Sequence, residues 1–228
     1  MEPPQMRPPA SPDTKEDSEI AITVADVEVE GVNSSDRDGE VQVAGSIFDA
    51  CKQGNADAVR GFLDGNVRVD AVDRNGMTPL FLACKHGHAD VMRLLLENGA
   101  NTNFTTQRGV TPLFAAIAKK CPDLVTLLLD CHADPLLKTD LGVTSLHLAS
   151  EFDAVKSMRV LLDWGIEADI LDVKGRTSLY ITSQKGSENA VQLLLSAGAD
   201  VNFAVEGGRK STTKPHFLSH PDVATWVL

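Results

Sequence analysis

The histidines and cysteines of this chain are the side chains that could act in catalysis or hold a metal. His86 and His88 are two residues apart, and Cys131 is followed directly by His132. A zinc site needs about four ligands, commonly in closely spaced pairs, and a catalytic site needs several groups that converge. The sequence places no further ligands or partners at suitable spacing around either pair. We therefore predict no catalytic residue, no metal site and no cofactor.

The four cysteines also lack the paired spacing of a redox motif, and we interpret them as buried reduced thiols. The chain begins MEPPQMRPPASP, without an apolar leader, and has no run of about 18 apolar residues that would predict a membrane span. These features predict an intracellular protein, cytoplasmic and/or nuclear, with no membrane partner.

A sequence pattern recurs every 33 residues along the chain. The helices and turns that it forms must position the histidine and cysteine side chains. The motif Gly-x-Thr-Pro/Ser-Leu occurs at residues 76–80, 109–113, 142–146 and 175–179. An apolar triplet follows at the same interval, at residues 94–96, 127–129, 160–162 and 193–195. Neither of the short helices that each period can form would be stable alone, so the units must stack on one another.

This pattern resembles the ankyrin repeat, which has a period of about 33 residues and a T-P-L-H-x-A signature. The resemblance implies an all-α solenoid of helix–loop–helix units with β-hairpin tips. It divides the chain into a half unit 45–72, full units 73–105, 106–138, 139–171 and 172–204, and a truncated capping unit 205–228. In this family the signature histidine, here His147, has a structural role.

Local signals predict where the helices of a unit begin and end. Ser46 and Thr78 can cap helices, and Pro79 suits the first helical position. Gly87 and Gly99 can take the left-handed conformation that ends a helix.

The middle of the array departs from this plan. Lys120 and Asp153 stand where other units have the glycine after the first helix, His132 replaces the terminal glycine, and Ser145 replaces the proline. We therefore expect the middle units to be the least regular and the first to loosen.

The segment 1–44 has eleven acidic residues against three basic ones, a net charge of −8 out of −11 for the chain. Its composition predicts a disordered acidic N-terminal segment. One hypothesis is that it competes with an acidic partner for basic side chains of the repeats; the simpler interpretation is a solubilising linker.

In ankyrin-like proteins the partner meets the hairpin tips and the exposed side of the first helix, which line the concave face. Carried onto this sequence, the predicted partner-binding residues are Arg74, Asn75, Met77, Lys85, His86, Arg108, Val110, Lys119, Leu141, Val143, Phe152, Lys174, Arg176 and Lys185. They form a mildly basic surface with an apolar centre at Leu141, Val143 and Phe152. Two alternatives remain open: the charges are ordinary solvated ones, and Phe152 packs into the space left by the missing glycine.

The function predicted from this resemblance is non-catalytic protein binding, as an adaptor, scaffold or inhibitor, with an acidic or phosphorylated partner segment. A regulatory subunit of an enzyme complex is the alternative. A nucleic-acid-associated protein is less favoured, because the chain is acidic overall.

Asn202 is a candidate modification site. The stretch from Leu194 to Asn202 resembles the ankyrin sequence on which an asparaginyl hydroxylase acts. The alternative is that Asn202 ties the hairpin to the preceding helix.

Overall fold

A computed structural model describes residues 46–201, in which ten α-helices and no β-strand are formed. The helices are α1 (Ile47–Gln53), α2 (Ala56–Asp64), α3 (Pro79–His86), α4 (Ala89–Glu97), α5 (Pro112–Ala118), α6 (Pro122–Asp130), α7 (Ser145–Glu151), α8 (Val155–Asp163), α9 (Ser178–Lys185) and α10 (Glu188–Ser196). The predicted segment 1–44, the capping unit 205–228 and Asn202 lie outside the described residues.

The helices form a solenoid of antiparallel pairs. The two helices of each pair pack together, and the first helices α1, α3, α5, α7 and α9 each pack on the next one along the chain. The predicted all-α repeat architecture is confirmed. The hairpin tips that join the pairs are tight turns within residues 46–201.

The first helices begin where the sequence predicts. The Thr78 hydroxyl accepts the Phe81 N–H at 3.2 Å, Pro79 is the first residue of α3, and Ser46 caps α1. A cap of this kind satisfies an amide that has no partner inside the helix. These local signals therefore set the phase of each unit.

Each full unit has three positions with a left-handed backbone, one in the hairpin tip and one after each helix. The position after the first helix is glycine at Gly87 (φ 85°), but Lys120 and Asp153 adopt the same conformation at φ 57° and 50°. The position after the second helix is glycine at Gly99 (φ 80°), but His132 occupies it at φ 64°. A side chain at such a φ costs about 1–2 kcal/mol relative to a right-handed residue. The predicted irregularity of the middle units therefore has a physical basis.

The core runs the length of the solenoid, between the first and second helices. Phe81, Phe114 and Leu148 of the first helices are buried, as are Leu95 and Leu161 of the second helices. Burial of such side chains is the main stabilising contribution in a repeat array, because each unit covers the next.

A side chain on the loop after the second helix connects three of the four neighbouring pairs of units within residues 46–201. It accepts a backbone N–H that lies 31 residues further on. The pairs are Asp70 with Asn101 at 2.9 Å, Asn103 with Asp134 at 2.7 Å, and Asp169 with Asp200 at 3.1 Å. Leu136 stands at the same position and is 51% exposed, but its side chain has no acceptor atom. This inter-unit hydrogen bond is thus missing between units 106–138 and 139–171.

Candidate functional site

The hairpin tips are ordered by the residue that opens each turn. The Asp73 N–H donates to the Met77 carbonyl at 3.0 Å, and the Asp73 carboxylate accepts the Met77 N–H at 2.9 Å. Thr106 and Thr139 use their hydroxyls in the same way. The two residues after the opening residue project from the turn. They are Arg74 and Asn75, Gln107 and Arg108, Asp140 and Leu141, and Val173 and Lys174, all exposed.

The residue that closes each turn is part of the core. Met77, Val110 and Val143 are only 5%, 2% and 1% exposed. Their backbones are bound to the opening residue, so their side chains lie inside the stack. The sequence-based prediction places these three side chains on the partner-binding surface, whereas the structure places them in the core.

Arg176 closes the last described turn and is also held within the protein. Its Nη2 atom lies 2.7 Å from the Asp172 carboxylate, and its Nε–H donates to the same oxygen at 2.8 Å. The two side chains are 12% and 1% exposed. Arg176 thus stabilises its own turn and is a weaker candidate for partner binding than predicted.

Leu141 and Val173 form an apolar pair on neighbouring tips, which we call the apolar tip patch. The Val173 N–H donates to the Leu141 carbonyl at 3.2 Å, and the two side chains are 37% and 65% exposed. Arg108 on the preceding tip and Lys174 beside Val173 place positive charge on both sides. Val173 belongs to this patch, although the sequence-based residue set omits it.

The ends of the first helices hold the remaining predicted residues. His86 and Lys119 are exposed, Lys85 and Phe152 are half-buried, and Lys185 pairs with Glu151 at 2.8 Å. This pair joins α9 to α7, so part of the predicted positive charge is neutralised within the face.

One more basic residue at the end of a first helix lies a unit before the predicted partner-binding residues. Lys52 lies 33 residues before Lys85 and is exposed at the end of α1. We call Lys52, Lys85, His86 and Lys119 the cationic cluster. The period alone could have found Lys52, but the half unit was left out of the predicted concave face.

The pKa of His86 reflects the positive charge of the cationic cluster. Burial lowers the pKa of the His86 imidazole most, and Lys85, His88, Lys119 and Lys52 lower it further by charge repulsion. The basic groups that lower the pKa of His86 come from three units, namely the half unit 45–72 and units 73–105 and 106–138.

Comparison with known families identifies this architecture. A model described as ankyrin repeats (3 copies) matches residues 47–139 and 119–204. The chain belongs to the ankyrin repeat family. No curated protein matched the sequence. Ankyrin repeats are in general protein–protein interaction modules, typically without catalytic activity.

Side chains of this ankyrin protein that resemble catalytic groups have structural partners. The His147 Nε2–H donates to the Arg176 carbonyl at 3.0 Å, and Nδ1 accepts the Thr144 N–H at 3.3 Å. Burial lowers the pKa of His147, so it is neutral at pH 7. Burial raises the pKa of the Cys51 thiol to about 12, which keeps it protonated and unreactive.

Residues 46–201 contain neither a metal-ligand cluster nor a membrane-spanning helix. This part of the chain has no group of three or more His, Cys, Asp or Glu side chains placed to hold a metal ion. Its helices are all too short and too polar to cross a membrane.

Proposed function

We propose that this protein binds a segment of a partner protein on its concave face, with the apolar tip patch as the main anchor. The observation that carries the proposal is the exposure of Leu141 and Val173 on two adjacent, rigid tips. Apolar and aromatic anchors at the centre of an interface often dominate its binding energy. The turn geometry does not require either side chain, because Asn75 and Arg74 occupy the corresponding positions in unit 73–105.

The flanking charges indicate the chemistry of the partner segment. Arg74, Arg108 and Lys174 are exposed on the tips, and Asp140 is the acidic residue among the four pairs of tip residues. A partner segment with an apolar side chain and acidic residues on either side would match this arrangement. Exposed charges contribute mainly to the association rate and to specificity, whereas the apolar anchor contributes to the residence time.

The fold supports this use of the tips. Each tip is held by hydrogen bonds to its opening residue, and successive tips are aligned by packing of the first helices. The surface is thus largely formed before the partner arrives, which lowers the entropy lost on binding. An adaptor, a scaffold, an inhibitor or a regulatory subunit would all use the face in this way.

The experiment is affinity capture from an extract of the source cells with the full chain as bait. The test bait carries Leu141→Arg and Val173→Arg, and the matched control bait carries Trp164→Arg. Trp164 is 50% exposed at the end of α8, away from the tips in sequence, so its substitution has a comparable effect on exposed apolar area.

We expect the double variant to lose about 90% of the specifically captured partner, equivalent to roughly 1.4 kcal/mol. The control variant should retain it, and both variants should keep the helical circular dichroism of the unchanged chain. Equal capture by the unchanged and double-variant baits would contradict the proposal.

A further inference from the structure

The cationic cluster brings three units to one place at the end of the concave face that begins the array. Lys52 lies in the last turn of α1, Lys85 and His86 end α3, and Lys119 follows α5. Because α3 packs on both α1 and α5, the ends of these three helices are neighbours.

The position of Lys119 is the most direct geometric evidence that basic residues of neighbouring units lie together. A Cβ atom placed on Gly87 would lie 3.2 Å from Lys119 Cε, so the lysine stem lies across the end of α3 in the preceding unit. Lysine at the end of a helix is often explained by attraction to that helix's own C-terminal dipole. Here the Lys119 side chain instead reaches toward His86, into a region that is already positive.

His88 contacts two members of the cationic cluster. Its imidazole stacks on that of His86, with ring centroids 6.2 Å apart and an interplanar angle of 10°. Its Nε2–H donates to the Lys52 carbonyl at 2.9 Å. His88 therefore joins the end of α1 to the junction between α3 and α4, next to His86.

The helices around the cluster supply little negative charge. Neither α3 nor α5 contains an acidic residue. On α1, Asp49 lies 3.8 Å from the Lys52 Nζ atom, and the two side chains are 50% and 43% exposed. An exposed pair at this distance contributes little stability and can rearrange easily. The basic groups of the three units can therefore attract a bound anion together.

We propose that Lys52, Lys85, His86 and Lys119 bind the phosphoryl group of a phosphorylated segment of a partner protein. A phosphoryl group on serine, threonine or tyrosine has a charge of about −1.5 to −2 at pH 7 and three strong acceptor oxygens. Several ammonium groups and an imidazole match that charge better than they match a single carboxylate. The proposal rests on the proposed function in so far as a partner protein carries the phosphoryl group.

Proton uptake is expected to accompany binding. In the protein without ligand, His86 faces Lys52, Lys85, His88 and Lys119, with Asp49 beside Lys52, and its neutral form is favoured. A bound dianion acts on the imidazole with the opposite sign and favours its protonated form. Affinity should therefore increase as the pH falls toward about 6, where the phosphoryl group itself begins to take up a proton.

The test uses the full chain and three synthetic peptides that differ at one residue: Gly-Ser-Gly-X-Gly-Ser-Gly, with X phosphoserine, serine or glutamate. Binding is followed by NMR of the histidine imidazoles and of the backbone amides at pH 6.2 and 7.5. The variants are Lys119→Gln and His86→Gln. The matched control is Lys156→Gln, because Lys156 is exposed on the second helix α8.

We expect the phosphoserine peptide to shift the His86 signals and to raise the His86 pKa. Lys119→Gln should weaken binding by about fivefold, as expected for loss of one charge-assisted contact, whereas Lys156→Gln should change it by less than about twofold. His86→Gln should remove most of the affinity difference between the two pH values. Equal binding of the glutamate peptide, or equal shifts around Lys156, would overturn the assignment of a phosphoryl site.

The outcome can be separated from that of the proposed function. If the phosphoserine peptide does not perturb His86 while the Leu141 and Val173 double variant still loses its partner, this inference fails alone. If the peptide binds as expected but the double variant captures the partner normally, the apolar tip patch is the part that fails.

Discussion

Units 73–105 and 139–171 have the same arrangement of helices but differ in how closely their residues follow the repeat sequence. In the first, Pro79 begins the first helix, and Gly87 and Gly99 take the left-handed positions without a side chain. In the second, Ser145 replaces the proline and Asp153 occupies a left-handed position. Unit 73–105 thus has the usual repeat residue at positions where unit 139–171 has a residue that lowers its stability.

The irregular unit has two further departures. The buried Ser157 hydroxyl has no hydrogen-bond partner, although Val91 fills the corresponding place in the regular unit. Leu136 breaks the inter-unit hydrogen bond that precedes the unit. An unpartnered buried hydroxyl and a lost hydrogen bond each cost on the order of 1 kcal/mol.

The same irregular unit carries Leu141 of the apolar tip patch. The comparison indicates that the regular unit contributes mainly stability, whereas the irregular one combines departures that cost stability with an exposed apolar tip residue. Local stability is often lowest in the regions of a protein that bind partners.

The largest expected effect compares two buried leucines at the same repeat position. Leu95→Ala and Leu161→Ala should each cost about 2–5 kcal/mol of unfolding free energy, with Leu161→Ala nearer the lower limit. Both residues are completely buried, but a less regular unit can collapse further around the cavity. Urea unfolding measures the costs, and hydrogen exchange should show unit 139–171 opening before unit 73–105. The reverse order of opening, or a larger cost at Leu161, would contradict the comparison.

The next effect concerns pH, because the irregular unit has His147 where the regular unit has Phe81. Burial lowers the pKa of His147 in the folded state, so the unfolded chain binds protons more readily. Its contribution to stability is present above the ordinary histidine pKa of about 6.5 and is lost as the pH falls through it.

At pH 5.5 the loss from His147 should therefore be at most about 1.4 kcal/mol. Urea unfolding at pH 7.5 and 5.5 checks this. A His147→Phe variant should lose less stability than the unchanged chain between these pH values. A His86→Gln variant measured in parallel gives the share of the pH dependence that comes from His86, since the pKa of His86 is also lowered. An unchanged pH dependence in the His147→Phe variant would rule out this role for the imidazole.

A smaller effect comes from the left-handed position after the second helix. Gly99→Ala should cost about 1 kcal/mol through backbone strain alone, because a Cβ there would meet no atom within 4 Å. His132→Gly, the mirror change one unit later, should stabilise by about 0.5–1 kcal/mol, less than the strain removed because glycine also gives the unfolded chain more freedom. Thermal unfolding of the two variants measures both. Changes of the same sign would show that the two positions are not equivalent.

The smallest effect is expected when one inter-unit hydrogen bond is added or removed. Leu136→Asn should restore the missing acceptor and stabilise by about 0.5–1.5 kcal/mol, while Asn103→Leu should cost a similar amount. In the unchanged chain the Asn103 side chain accepts the Asp134 N–H at 2.7 Å and donates to the His132 carbonyl at 3.1 Å. If Leu136→Asn destabilised the protein, Leu136 would have a packing role that its exposure does not indicate.

Much of the fold followed from local chemistry in the sequence. The caps at Ser46 and Thr78 and the glycines at Gly87 and Gly99 act within a few residues, so the period was enough to place the helices. The left-handed backbone of Lys120 also followed from its alignment with glycine.

The candidate site was less accessible to prediction, because exposure depends on neighbouring units. Met77 lies two residues beyond the tip residues, yet its side chain is buried in the core and its N–H is bound to the residue that opens the turn. The ion pair between Arg176 and Asp172 likewise depends on the shape of the turn. The position of the Lys119 side chain against Gly87 depends on the packing of two units, which spacing along the sequence does not describe.

The central claim is that a partner protein contacts the apolar tip patch, and site-specific photo-crosslinking tests it most directly. A benzophenone amino acid is placed at Leu141 in one full-length sample and at Trp164 in another, expressed in the source cells. These side chains are 37% and 50% exposed, so both probes reach solvent. The account predicts a discrete crosslinked partner at Leu141 and none of that species at Trp164. Crosslinking of the same partner at Trp164 but not at Leu141 would contradict it.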